Sequence, residues 1–264
     1  MPYADVNGQR IRYEDSGDEG PAVIFSHGFL MDHEMFAPQV QALAGEFRTI
    51  AWDERGFGET EFDGKPFTYW DSAADCLGLL DHLGVERAVL AGMSQGGFLS
   101  MRAALTAPER VRALVLMDTQ SGTEDPEQLP AYRQMQATWE EVGPVEGLAN
   151  AIADLIIGDP ELNAVWTAKW QKLPRESWKA PSDCLFERDD ITSRLGEISC
   201  PAIVFHGTAD KSIEIELGEK LCSDLPACVG LVRVEGGPHA ANLTHADQVN
   251  GPLLDFLRSL PAEG

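Results

Sequence analysis

The chain has 264 residues, 44% hydrophobic and 24% charged, enough apolar material for one sizeable core. Its 43 acidic against 20 basic residues give a formal net charge of −23, which repels nucleic acid and anionic membrane and excludes both as expected partners. There is no apolar run long enough to cross a bilayer, no secretory signal at Met1-Pro-Tyr-Ala-Asp5, and no metal-ligand spacing among Cys76, Cys184, Cys200, Cys222 and Cys228, so a cytoplasmic protein with reduced thiols is expected.

Tyr3 to Val6 and Arg10 to Asp15 alternate around Asn7-Gly8, a strong hairpin signal. Ala22 to Ser26 is apolar enough to be a strand buried on both faces, and it runs into His27-Gly28-Phe29. Met35 to Leu43 has helical periodicity, Arg48 to Asp53 reads as the next strand, and Glu54 to Gly58 is a glycine-punctuated loop. Trp70 to Leu83 carries apolar residues at helical spacing, with Gly84 placed to stop it. Ala88 to Ala91 and Arg112 to Asp118 are further strands, separated by a helix reaching about Thr106. Strands that alternate with helices argue for a parallel sheet covered on both faces, entered through the antiparallel hairpin.

The rhythm breaks after residue 120. Residues 121–195 show helical segments (Leu129 to Glu141, Val145 to Ile157, Glu161 to Gln171), Pro-containing loops and four of the six tryptophans, but no convincing strand. This stretch is expected to be a helical cap inserted between core segments 1–120 and 196–264. The strand pattern resumes at Ala202 to His206 and Gly230 to Val234. A helix is expected between them over Glu214 to Leu225, and another from about Ala246 to Leu260, which Pro252 should delay or kink.

The stretch around Gly92-Met93-Ser94-Gln95-Gly96 carries the chemistry. Four buried-type residues lead into it, a helix leaves it, and it matches G-x-S-x-G, a sharp turn that lifts a serine hydroxyl above the sheet edge. The glycines are needed because neighbouring chains crowd a strand that reverses into a helix within one or two residues. A serine is a weak nucleophile without a base, and the base needs an orienting acid. His239 follows the last strand and Asp210 follows the strand before it, on the tight turn His206-Gly-Thr-Ala-Asp210. In a parallel sheet these strand ends share one edge, so the three groups can converge. Asp118 also ends a strand and is the rival acid. His206 reads as a satisfied buried histidine, and His33, His82 and His245 read as surface residues without partners. The backbone N–H groups of Phe29 and Gln95 are the candidate oxyanion donors.

His27-Gly28-Phe29, Trp52 to Gly58, Gly92 to Gly97, Gly207 to Asp210 and Gly237-Pro238-His239 together resemble the α/β-hydrolase superfamily over almost the whole chain. The spacing is most similar to its serine esterase and 3-oxoadipate enol-lactonase branch. The resemblance implies a mostly parallel eight-stranded sheet flanked by helices with an inserted four-helix cap, and a catalytic set of Ser94, Asp210 and His239. Ser94 departs from relatives that carry Asp at the nucleophile position. Gln95 replaces the more usual Met or Leu and is expected to put a polar side chain beside the oxyanion site. The expected function is a serine hydrolase that cleaves a small carboxylic ester or lactone, needs no cofactor or metal and has a small molecule as partner. Self-association is left open. Trp139, Trp166 and Trp170 are expected to line the substrate pocket. The alternatives are a receptor-like ligand binder on the same fold, or a non-hydrolytic lyase, acyltransferase or perhydrolase.

Overall fold

The computed structural model describes residues 2–261. It begins with β1 (Tyr3–Val6) and β2 (Gln9–Asp15), paired antiparallel with Val6 opposite Gln9. That register makes Asn7-Gly8 a two-residue turn with φ of 50° and 80°. Both central residues of such a turn need positive φ, which Asn and Gly tolerate best. β3 (Ala22–Ser26), α1 (Ala37–Leu43), β4 (Arg48–Trp52), α2 (Tyr69–His82), β5 (Ala88–Met93), α3 (Gln95–Thr106) and β6 (Val111–Met117) then alternate. α2 starts in a reciprocal Thr68–Asp71 capping box and stops before Gly84, whose φ is +66°.

Between β6 and the next strand the chain leaves the sheet for four helices: α4 (Leu129–Val142), α5 (Glu146–Ile156), α6 (Pro160–Trp170) and α7 (Lys179–Phe186). It returns as β7 (Ala202–Gly207), α8 (Ile215–Asp224), β8 (Cys228–Val234), the single turn α9 (Ala241–Thr244) and α10 (Ala246–Ser259). α10 does not wait for Pro252 but runs through it. The missing N–H leaves one carbonyl of the helix without its usual donor, a loss that the buried Val249, Leu253, Phe256 and Leu257 of the same helix offset.

The eight strands form one sheet in the order β1-β2-β4-β3-β5-β6-β7-β8, parallel from β4 onward. Every residue of β3, β5, β6 and β7 is buried, as a strand covered on both faces requires. Alternate residues feed two cores. Ile24, Leu90, Leu114 and Val204 pack with α2, α3 and α8, while Val23, Phe25, Val89, Val115 and Phe205 pack with α1, α10 and the inserted helices. The inserted helices form no separate core: α4, α5 and α6 extend the second of these, and α7 joins the first through Cys184.

The cysteines depart from expectation. Cys222 and Cys228 are disulfide-bonded, joining the end of α8 to the start of β8, and Cys76, Cys184 and Cys200 are free. The turn between α8 and β8 brings the two Cα atoms to 5.4 Å, a proximity that the scattered spacing of the five residues hides. The argument for a reducing compartment drawn from five free thiols loses its premise. Among the described residues no helix is long and apolar enough to cross a membrane.

Candidate active site

Ser94 sits between β5 and α3 with φ 52° and ψ −114°, a region that non-glycine residues rarely occupy. Its neighbours hold it there. The Ser94 N–H donates to the Met117 carbonyl at 2.9 Å, and Thr119 Oγ1 donates to the Ser94 carbonyl at 2.8 Å. The flanking glycines are obligatory: a Cβ at Gly92 would lie 2.1 Å from the Gly96 oxygen, and one at Gly96 would lie 2.0 Å from the Ser26 oxygen. The Ser94 hydroxyl makes no hydrogen bond among the described residues and faces a cavity that His239 also lines.

Two loops bring acid and base together. Thr208 N–H donates to the Val234 carbonyl at 3.0 Å and Ala209 N–H to the Gly237 carbonyl at 2.9 Å, knitting the turn after β7 to the turn after β8. Asp210 Oδ1 accepts from the Ser212 and Ile213 amides at 2.8 and 3.0 Å. Its Oδ2 lies 2.8 Å from His239 Nδ1. Burial disfavours the Asp210 carboxylate, but the charge and hydrogen bonds of His239 and His206 overcome this and hold it well below the usual carboxylate range. Burial likewise disfavours the His239 imidazolium, yet Asp210 outweighs it and leaves the pKa above the ordinary histidine value. With its Nδ1–H donating to the Asp210 carboxylate, His239 keeps the Nε2 lone pair to act as a base.

The rival acid lies beside Asp210 but makes no bond to His239. Asp118 ends β6 with φ +46° and accepts from the Gly207 amide at 2.7 Å, while its other oxygen has no partner. Burial pushes its carboxyl up to about 7; His206 opposes the shift and Asp210 adds to it. His206 is fully buried, with Nε2 2.8 Å from the Ile213 carbonyl and 3.4 Å from Asp210, but its Nδ1 has no partner, so it is only half satisfied.

The loop after β3 faces Ser94. His27 is buried, its Nδ1 donating to the Gly28 carbonyl at 2.8 Å and its Nε2 accepting from the Glu54 amide at 3.0 Å. Both ring nitrogens are thus used by the backbone, and burial depresses the pKa, so His27 acts as a neutral brace. The Phe29 and Gln95 N–H groups meet no acceptor among the described residues. The Gln95 side chain turns away from the oxyanion site, contrary to expectation. Its Nε2 donates to Glu54 Oε2 at 2.9 Å and its Oε1 accepts from the Tyr69 hydroxyl at 3.3 Å, under the elbow.

The cavity over Ser94 encloses about 80 Å³. Its walls include Met93, Phe98, Met135 and Ile152, with Leu155, Ile156, Trp178, Leu185, Phe186 and Ile213 closing it, and Tyr132 and Glu124 at the side. Pockets for drug-sized ligands run to about 300 Å³ or more, so this space suits only a few heavy atoms. The three tryptophans expected to line it do not. Trp139, Trp166 and Trp170 are buried in packing between the inserted helices and the core. Trp178 takes their place, with its ring 4.2 Å from that of Trp139 and 5.4 Å from that of Phe29. Trp178 ends a short 3-10 turn (Arg175–Trp178), and no sequence period marks it as a wall. A larger open groove of about 1220 Å³ lies outside, between the loop after β4 and the segment before α7; Phe57 on its wall meets Phe29 edge-on.

His33 is a further correction, because it is not a free surface residue. Its Nδ1 lies 2.6 Å from Asp53 Oδ1, and the same oxygen accepts the His33 N–H at 2.8 Å. Asp32, His33 and Asp53 form one group of potential metal ligands, and Asp118, His206 and Asp210 form another. In the first, Asp53 and Asp32 already accept hydrogen bonds at both oxygens. In the second, Asp210 does so.

A family model for the alpha/beta hydrolase fold matches residues 21–155, and the chain belongs to that family. Its structure is similar to that of a thermophilic esterase from Thermogutta terrifontis, with a TM-score of 0.89, 26% identity and 99% of each chain covered. It is equally similar to the enol-lactonase from Burkholderia xenovorans, with a TM-score of 0.88 and 26% identity over 98% of this chain and 100% of that one. In sequence it is 26% identical to 3-oxoadipate enol-lactonase 1 of Acinetobacter baylyi, over 96% of this chain and 95% of the relative. The protein is a hydrolase of the α/β fold with esterases and lactonases among its relatives.

Proposed function

We propose that the protein hydrolyses a small carboxylic ester or lactone through an acyl-enzyme on Ser94. One arrangement carries this reading: a strained, unbonded serine and a His239–Asp210 pair open into the same small apolar cavity, between two unengaged backbone N–H groups. His239 Nε2 takes the Ser94 proton as Oγ attacks the carbonyl carbon, and the Phe29 and Gln95 N–H groups stabilise the oxyanion. His239 then returns the proton to the leaving alkoxide, releasing an alcohol. Water, deprotonated by the same nitrogen, attacks the acyl-enzyme and frees the acid and Ser94. The test is a panel of esters and lactones of graded size, with trapping of the acyl group on Ser94 by mass spectrometry. A chain that turns over none of them, and carries no acyl group, would refute the proposal.

The small cavity sets an expected selectivity. Acetyl and propionyl esters should react faster than hexanoyl esters of the same alcohol. Met135→Ala or Leu185→Ala should open the wall and raise kcat/KM for hexanoate relative to acetate by about tenfold, the scale of one or two methylenes in an apolar pocket. A ratio that stays constant would mean that the acyl group does not occupy this space.

The pH profile follows from His239. The base works only when neutral, and its pKa lies above the ordinary value of about 6.5. Activity is therefore lost as pH falls through a midpoint above that figure. Salt screens the distant carboxylates of this acidic chain far more than the adjacent Asp210, since the Debye length is about 8 Å at physiological ionic strength. The acidic limb of kcat/KM for a neutral ester is expected to move to lower pH as salt rises. A fixed limb would show that only the adjacent groups govern the base.

A further inference from the structure

The turn carrying Phe29 is strained in a second place, beyond the elbow. The Gly28 carbonyl accepts the Met31 N–H at 3.0 Å, closing a turn whose third residue is Leu30 at φ +61°. That position normally takes Gly or Asn, because other side chains resist positive φ. A leucine held there needs support from outside the turn.

The support comes from the last turn of α6. Trp170 Nε1 donates to the Leu30 carbonyl at 2.6 Å, and both residues are buried. Its neighbour Lys169 reaches the same loop, with Nζ 2.7 Å from Asp32 Oδ2 and 2.7 Å from Glu34 Oε2. The ammonium also lies 4.2 Å over the Trp166 ring, which sets the direction of the lysine stem. Neither Trp170 nor Lys169 borders the cavity over Ser94.

We propose that Trp170 and Lys169 are positioning residues for the oxyanion site: they pin the Leu30–Met31 peptide, whose N–H holds the Gly28 carbonyl of the peptide that carries the Phe29 N–H, so that this donor stays aimed at the cavity. The inference rests on the reading of Phe29 N–H as an oxyanion donor. Without the indole bond, residue 30 relaxes toward negative φ, the Met31 bond to the Gly28 carbonyl weakens, and His27 Nδ1 alone is left to hold the peptide that carries the Phe29 N–H. The donor is then complete only while the inserted helices sit on the core. α6 thus acts on the reaction through the loop and not by touching substrate, and the indole of Trp170 has a role distinct from that of a pocket wall.

The test uses the full chain with Trp170→Phe, which keeps most of the packing and removes the donor, and Lys169→Met, which keeps the stem at a half-exposed position and removes the charge. Thermal melting checks folding. For Trp170→Phe, kcat is expected to fall about 30-fold, part of the roughly 100- to 1000-fold that loss of an oxyanion donor costs. KM should stay within about twofold, and the loss should be the same for acetyl and hexanoyl esters, because uniform binding is untouched. Affinity for an alkylboronic acid, whose serine adduct places an oxygen in the oxyanion site, should fall by the same factor. Lys169→Met should show a smaller loss of the same kind, reproduced in the wild type by high salt. Unchanged kcat and boronate affinity in both folded variants would overturn the proposal, as would a loss confined to KM or to bulky acyl groups. Wild-type protein that neither turns over esters nor binds the boronate would instead refute the reading of Ser94 itself, and this inference with it.

Discussion

Ser94→Ala is expected to lower kcat about a million-fold, the scale of losing the nucleophile from a serine triad, while the melting temperature stays where it was. Both halves of that expectation come from the geometry. The Ser94 hydroxyl bonds to no described residue and projects into a cavity, so removing it breaks no hydrogen bond and leaves no buried group unpaired. The strain at φ 52° belongs to the backbone and to Cβ, both of which alanine retains. The Met117 and Thr119 bonds to the Ser94 backbone are untouched. Rate measurement on an aryl acetate beside a thermal melt checks both. Retained turnover in a folded variant would remove Ser94 from the mechanism.

Asp210→Asn should cost about ten-thousand-fold in kcat through the tautomer of His239. The Ser212 and Ile213 amides require an acceptor at Oδ1, so the new side chain keeps its oxygen there and turns its NH₂ toward His239 Nδ1. That nitrogen must then accept, which moves the ring proton to Nε2, where it blocks the transfer from Ser94. Asp118→Asn should cost less than about tenfold, because Asp118 holds the Gly207 amide and makes no bond to His239. Parallel kinetics on the two variants decide the acid. A large loss from Asp118→Asn with a small one from Asp210→Asn would reverse the assignment.

The sheet was legible because its signals are local. Asn7-Gly8 demands a two-residue turn, Gly84 stops α2, and the four wholly buried strands read as mainly apolar runs, interrupted at Arg112 in β6 and His206 in β7. The elbow was legible for a related reason. Gly92 and Gly96 stand where any Cβ would strike a backbone oxygen, so the constraint is written directly in residue type. His239 and Asp210 could be placed at one edge because parallel strands end on the same side.

The features that escaped the sequence all depend on which side of a surface a residue faces in space. β6 and β7 are neighbours, so Asp118 and Asp210 end side by side, and only the bond to His239 Nδ1 separates them. Gln95 could point into the oxyanion site or under the elbow, and Glu54, 41 residues away in sequence, draws it under. The cap helices are short and packed on more than one side, so periodicity does not tell a tryptophan facing substrate from one facing the core. Trp170 faces the carbonyl of Leu30, while Trp178, in a turn with no helical period, faces the cavity. Sequence by itself determined the entering hairpin, the mostly parallel sheet, the serine turn and the chain order of nucleophile, acid and base, because each is carried by residue types and patterns at marked positions. Tertiary packing decided the acid's partner, the shape of the cavity and the bracing of the Phe29 loop, because each is a contact between segments that local chemistry does not bring together.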